Sequence, residues 1–276
     1  MGFTYPPPPT SFAKLSFPAD KVVLVTMNRP EKMNCTRGQD VVELTNIFRW
    51  IDDEPTLSVA VLTGAGDRAF STGADLQEWL EKASAPGARP GAGPGDAAGA
   101  IPLSNRLGKK PIVAAVNGLA LGGGCETVVN CDIVVAADTA KFGLVEVKRG
   151  LAAYAGALPR LIRTVGLQRA SEMALTGEMI TAQQAERWGF VNKVVPQKQV
   201  VEEAIRYAKL IAQSSPDSII TTRAGLRQGW ESASVVEATA VTNRREWTDL
   251  QKGENIQEGL AAFKTRRKPN WKPAKL

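Results

Sequence analysis

The chain has 276 residues, 43% of them hydrophobic, and 34 Lys+Arg against 28 Asp+Glu leave a formal charge of +6. That length allows one large domain, or a core with a smaller appendage, around a sizeable buried interior. There is no histidine, which excludes Ser-His-Asp and Cys-His relays, two-His zinc sites and HExxH metalloproteases and leaves acid/base chemistry near neutrality to carboxylates, Lys, Tyr or Cys.

In chain order, residues 1–14 read as a flexible stub whose prolines at 6–9 favour an extended form. It has neither the apolar core of a secretory signal nor the Arg-rich pattern of a transit peptide, and Pro6 stands where a myristoylation site wants Ser or Thr. Val22 to Thr26, Ser58 to Leu62, Pro111 to Val116 and Cys131 to Ala136 are short, Val- and Ile-rich runs of the kind that form buried strands. Val41, Leu44, Thr45, Phe48 and Ile51 mark one face of a helix that ends before Pro55. Residues 83–100 hold almost nothing that can be buried, and read as a linker or as a surface loop or lid. From about Leu158 the pattern turns helical, through Ile162, Val165, Ala170 to Leu175, Val200 to Ile211 and Ile256 to Phe263. An α/β core over 15–200 followed by a helical region over 201–276 is the expected organisation.

Cys35, Cys125 and Cys131 make an odd count with no zinc or CxxC spacing, which points to reduced thiols. The most apolar stretch, Ile112 to Val129, is interrupted by Asn117, glycines and Glu126, so no membrane span is expected. Basic residues crowd the C-terminus at Lys264, Arg266, Arg267, Lys268, Lys272 and Lys275. They form either a solvated tail or an anion-binding element; without interleaved aromatics, nucleic-acid binding is not expected. The last three residues, Ala274-Lys275-Leu276, are a small-basic-Leu ending of the S-K-L type read by a peroxisomal import receptor. The chain is expected in the peroxisome, with the cytoplasm as the alternative.

Three glycine-bearing segments follow strand-like runs: Ser71-Thr72-Gly73-Ala74-Asp75, Gly122-Gly123-Gly124-Cys125-Glu126, and Phe142-Gly143-Leu144-Val145-Glu146. The second reads as neither GxxxxGK[ST] nor GxGxxG, which disfavours phosphate cradling. Backbone amides at two such turns can converge on one oxygen that becomes negative, each donor being worth about 3 kcal/mol of activation energy.

NRPEKMN, AFSTGADL, VAAVNGLALGGGCE, CDIVVAAD, FGLVEVKRGL and ALTGEMITAQQAERWGFVNKVVP together resemble, in order and spacing, the crotonase (enoyl-CoA hydratase/isomerase) family over roughly residues 15 to 270. The resemblance implies a spiral core of ββα units with a helical C-terminal trimerisation region, a homotrimer or a hexamer of paired trimers, and an acyl-CoA thioester substrate with no cofactor beyond its own coenzyme A. It implies an oxyanion hole from the amides of Thr72 and Gly123. Thr72, Gly73, Ala74 and Asp75 would lie along CoA, Met33 would belong to the adenine pocket, and Phe263 and Arg266 would reach CoA from a neighbouring subunit.

The family's hydratases use two glutamates, matched by Glu126 and Glu146, which hold a water between them; either alone would read as well as a helix cap or ion-pair residue. Val145 stands where Pro is usual, and Tyr154 where a glycine commonly lines the site. Its phenol can fill acyl space, hydrogen-bond the water, protonate carbon, or simply pack. Hydration of a trans-2-enoyl-CoA is the expected reaction. Isomerisation, other enolate chemistry (hydrolase or lyase), and a non-catalytic role in binding RNA or a partner are the alternatives.

Overall fold

A computed structural model describes residues 2–84 and 103–276; most of the expected 83–100 loop lies outside the described residues. Among the described residues ten strands fall into two sheets: β1 (Ala13–Ala19), β2 (Val22–Met27), β3 (Val59–Gly64), β4 (Ala69–Ser71), β5 (Ile112–Val116), β6 (Leu119–Leu121), β7 (Ile133–Ala137), β8 (Lys141–Gly143), β9 (Ile180–Thr181) and β10 (Lys193–Val195). The larger sheet runs β1-β2-β3-β5-β7-β10 and is parallel except for the β1/β2 hairpin. Its central strands β3 and β5 are buried along their whole length. They therefore read as unbroken Val, Ile, Leu and Ala runs, without the alternation of a half-exposed sheet.

The smaller sheet runs β4-β6-β8-β9, with β4, β6 and β8 parallel. The chain repeats one manoeuvre three times: β3, β5 and β7 enter the large sheet, and the following β4, β6 and β8 enter the small one. Each small-sheet strand then runs into a helix or helical turn: α2 (Leu76–Ala83), α3 (Gly123–Val129) or the 3-10 turn Glu146–Arg149. Because β4, β6 and β8 are parallel neighbours, paired Ser71 to Ala120 and Leu121 to Gly143, their carboxyl ends emerge along one edge. Ligand sites form at such edges.

Helix α1 (Gly38–Asp53) buries Val41, Leu44, Ile47, Phe48, Trp50 and Ile51; Thr45, expected on that face, instead bonds its hydroxyl to the Val41 carbonyl at 2.7 Å. After α4 (Ala157–Val165), α5 (Leu167–Thr176) and α6 (Ala182–Arg187), helix α7 (Val200–Ala212) packs on β2, β3, β5 and β7. It completes the α/β core, so the separate helical layer begins one helix later than 201, at α8 (Pro216–Glu231), and continues through α9 (Val235–Thr242), α10 (Thr248–Gln251) and α11 (Glu254–Lys264). Asp132 holds α8 to the core by ion pairs with Arg223 at 3.0 Å and Arg227 at 2.8 Å.

Both ends of the chain are tied down. Phe3 packs tilted against Phe17 and edge-to-face with Trp50, the Tyr5 amide donates to Glu54, and Glu43 receives the amides of Ser11, Phe12 and Ala13. The stretch after α11 is laced back onto the body. Asn255 and the Lys272 backbone exchange two hydrogen bonds, the Ala274 amide donates to Pro55, the Lys275 amide donates to buried Asp217 at 2.8 Å, and Lys109 reaches the Leu276 carbonyl.

Candidate active site

Three strand-end turns meet at the edge of the small sheet. Gly73 has φ +82°, and a Cβ there would lie 2.7 Å from the Gly123 amide nitrogen; only a residue without a side chain permits that approach. Gly122, at φ +52°, ends β6 and starts α3, and a Cβ on it would meet Glu146 Oε1 at 3.6 Å and the Thr72 carbonyl at 3.8 Å. The turns after β4 and β6 and the glutamate after β8 thus face one small space.

Glu126 stands in the first turn of α3 and is 4% exposed. Its Oε1 accepts hydrogen bonds from the backbone amides of Ala155 at 2.9 Å and Ala157 at 3.4 Å. Burial first, and then the charge of Glu146, push its carboxyl up to about 7. Burial also raises Glu146, whose buried Oε2 has no hydrogen-bond partner among the described residues. Two carboxyls in one desolvated space resist double ionisation, so near neutrality the pair retains a proton. Cys125 is fully buried beside them, and burial and both carboxylate charges push its thiol up, which keeps it from acting as a thiolate.

Glu126 and Glu146 open onto a cleft shared with Thr72, Ala74, Gly122 and Gly123. Leu76 and Trp79 of α2 and Val145, Leu151 and Ala152 supply its apolar lining, and Arg149 and Tyr154 add polar ends. Among the described residues no group of three Cys, Asp or Glu is placed to hold a metal, and no helix is long and apolar enough to cross a membrane.

The structure brings together Thr72, Gly73, Ala74, Gly123, Glu126, Glu146 and Tyr154 of the expected set, but it changes one role. The Thr72 amide, expected to be a free donor, is spent on the Met33 carbonyl at 3.2 Å. Thr36 pairs with the same turn, its amide donating to Gly73 and its carbonyl accepting from Asp75. The Ala74 amide between these two bonds has no hydrogen bond among the described residues. Met33 therefore braces the turn through its backbone, at φ +51°. Asp75 caps α2, accepting from the Gln77 amide and pairing with Arg37 at 3.2 Å. Phe263, 86% exposed, and Arg266 lie outside the cleft of their own chain. Residue types alone did not reveal the Ala155 and Ala157 amides that hold Glu126, nor Trp79 and Arg149.

Comparison with known proteins agrees with this geometry. The family profile described as enoyl-CoA hydratase/isomerase matches residues 19–274. The chain is 48% identical over 262 residues to a mevalonyl-coenzyme A hydratase of Aspergillus fumigatus, covering 95% of each. It is 38% identical over 252 residues to the 2,3-dehydroadipyl-CoA hydratase of Escherichia coli, covering 91% of this chain and 95% of the other. Among solved structures, a probable enoyl-CoA hydratase/isomerase from Mycobacterium abscessus superposes with a TM-score of 0.84 at 35% identity, covering 95% and 98% of the two chains. The chain belongs to the enoyl-CoA hydratase/isomerase family.

Proposed function

We propose that the protein is a hydro-lyase that interconverts a 2-enoyl-CoA and its 3-hydroxyacyl-CoA, with a short, branched acyl group of the mevalonyl kind as substrate. The observation that carries this is the division of labour between two buried carboxyls in one cleft: Glu126 pinned by two amides, Glu146 with an unpartnered oxygen. The 48% identity to mevalonyl-coenzyme A hydratases from two fungi, over nearly the whole chain, supports the substrate class.

In the hydration direction the thioester oxygen sits on the amides of Ala74 and Gly123, which takes the first donor role from Thr72. Glu126, whose two amide bonds favour its ionised form, accepts a proton from water as the oxygen bonds to the β-carbon. The double-bond electrons move onto the thioester oxygen as an enolate. Its collapse takes a proton from Glu146, whose burial and unpartnered Oε2 favour the neutral acid, onto the α-carbon. One water has then been added, and a proton passing from Glu126 to Glu146 restores the pair. The scheme uses no cofactor beyond the substrate's own CoA, and backbone donors aimed at the developing charge supply the electrostatic part.

Exposed apolar side chains on α8, α9 and α11, among them Leu226, Val235, Val236 and Leu260, support a homo-oligomer in which Phe263 and Arg266 serve a neighbour's CoA. Sedimentation at a single mass of one chain would refute it. The Ala274-Lys275-Leu276 ending supports a peroxisomal location, tested by an amino-terminal fluorescent fusion with and without those three residues. The activity is tested by incubating 5-hydroxy-3-methylpent-2-enoyl-CoA and crotonyl-CoA with the protein and following loss of conjugated thioester absorbance and gain of one water by mass. Turnover of neither thioester refutes the reading.

A further inference from the structure

Water addition uses Glu126, Glu146 and two backbone amides, and calls on neither Tyr154 nor Arg149, polar side chains that line the cleft with them. Tyr154 is anchored in the backbone that positions the catalytic carboxylate. Its own amide donates to the Ala152 carbonyl at 2.9 Å, and the next amide, of Ala155, is the one that holds Glu126 Oε1 at 2.9 Å. Gly156, at φ +114°, turns the chain so that Ala157 supplies the second donor. The phenol is therefore rooted one residue from a group that touches the acid/base pair. It lines the cleft yet is 61% exposed, which places it at the mouth.

Among the described residues, the rest of the acyl wall is Leu76, Trp79, Val145, Leu151 and Ala152, with Arg149 as another polar group. An apolar wall alone discriminates weakly between chains that differ by a hydroxyl, whereas a wall offering a hydrogen bond discriminates strongly. In a 5-hydroxy-3-methylpentenoyl group the terminal oxygen lies three bonds, about 4 Å, from the β-carbon held beside Glu126. A tyrosine rooted next to that carboxylate's donors spans such a distance.

We propose that Tyr154 is the specificity-determining residue for the acyl group: its ring limits chain length, and its hydroxyl hydrogen-bonds an uncharged hydroxyl two carbons beyond the β-carbon. This deepens the proposed hydratase reading and rests on it.

The test measures kcat/KM of the wild type, Tyr154→Phe and Tyr154→Ala on 5-hydroxy-3-methylpent-2-enoyl-CoA, crotonyl-CoA, 2,3-dehydroadipyl-CoA and 2-decenoyl-CoA. The expected result is a fall of about tenfold in the ratio of hydroxylated to crotonyl substrate in Tyr154→Phe, carried mainly by KM, as suits one neutral hydrogen bond. Tyr154→Ala is expected to raise the ratio of decenoyl to crotonyl turnover. Equal losses on both short substrates in Tyr154→Phe would mean that the residue merely supports Glu126, and would overturn the proposal, as would an unchanged ratio. A wild-type preference for the dehydroadipyl thioester would move the reading group to Arg149. No turnover of any thioester by the wild type refutes the hydratase reading itself, a result distinct from an unchanged ratio in an active enzyme.

Discussion

The burial of Glu126 makes a quantitative prediction for Glu126→Gln. Glutamine has the same shape, and its carbonyl can accept the Ala155 and Ala157 amides, but it has no charge to desolvate. In the wild type the carboxyl moves from 4.5 to about 7 on folding. At about 1.4 kcal/mol per tenfold change in the proton equilibrium, this amounts to roughly 3 kcal/mol once both folded and unfolded groups are ionised. The folded pKa lies above the unfolded one, so the native state binds the extra proton. The stability that the proton brings is full below pH 4.5 and is lost as pH rises through about 7. Between pH 5 and pH 8.5 the wild type should therefore lose about 2–3 kcal/mol relative to the variant, whose glutamine carries no proton to lose. Urea unfolding of both proteins at the two pH values and one protein concentration measures this difference. Hydration by the variant should fall by about 10²–10⁴, the usual weight of a general base. A stability gap that stays constant with pH would refute the claim that Glu126 carries a desolvated charge.

The base also sets the pH–rate profile: Glu126 works as its carboxylate, so kcat/KM should fall as pH drops below about 7 and the carboxyl takes up a proton. A rate unchanged between pH 8 and pH 5 contradicts the assignment. Glu146→Gln should cost at least about a hundredfold in the rate of proton delivery to the α-carbon, read by solvent deuterium incorporation. Gly73→Ala places a methyl group 2.7 Å from the Gly123 amide at a positive φ. It should both destabilise the fold, by about 1–3 kcal/mol, and abolish hydration, and a fully active, stable variant would show that the two turns do not converge. Asp132→Asn leaves the buried Arg223 guanidinium without its carboxylate. A loss of about 3–5 kcal/mol in a urea melt is expected.

The inner strands of the large sheet were legible in the sequence because they are largely buried, whereas the half-exposed edge strands β1 and β10 were not. Val22 to Thr26, Ser58 to Leu62, Pro111 to Val116 and Cys131 to Ala136 coincide with β2, β3, β5 and β7 within one or two residues. The small sheet was not legible as a sheet. β4, β6 and β8 are three residues each, too short for periodicity, and register only as the lead-in to glycine turns. The glutamates and the glycines were readable as types at a spacing. Which amide in Ser71-Thr72-Gly73-Ala74 is free was not, since that depends on the positive φ of Gly73 and on the long-range bonds from Met33 and Thr36. The placement of α7 was hidden for a similar reason: an amphipathic pattern shows that a helix has an apolar face, but not which layer receives it.

The lacing of the last residues onto the body bears on anything that handles the chain by its end. Release of Ala274, Lys275 and Leu276 breaks the bonds to Pro55, Asp217 and Lys109 and unpairs the Asp217 carboxylate, 2% exposed, from its backbone donor. A binder that grips the terminal tripeptide therefore competes with the protein's own surface, and its apparent affinity for the folded chain is that for the free peptide reduced by the fraction of time the end is undone.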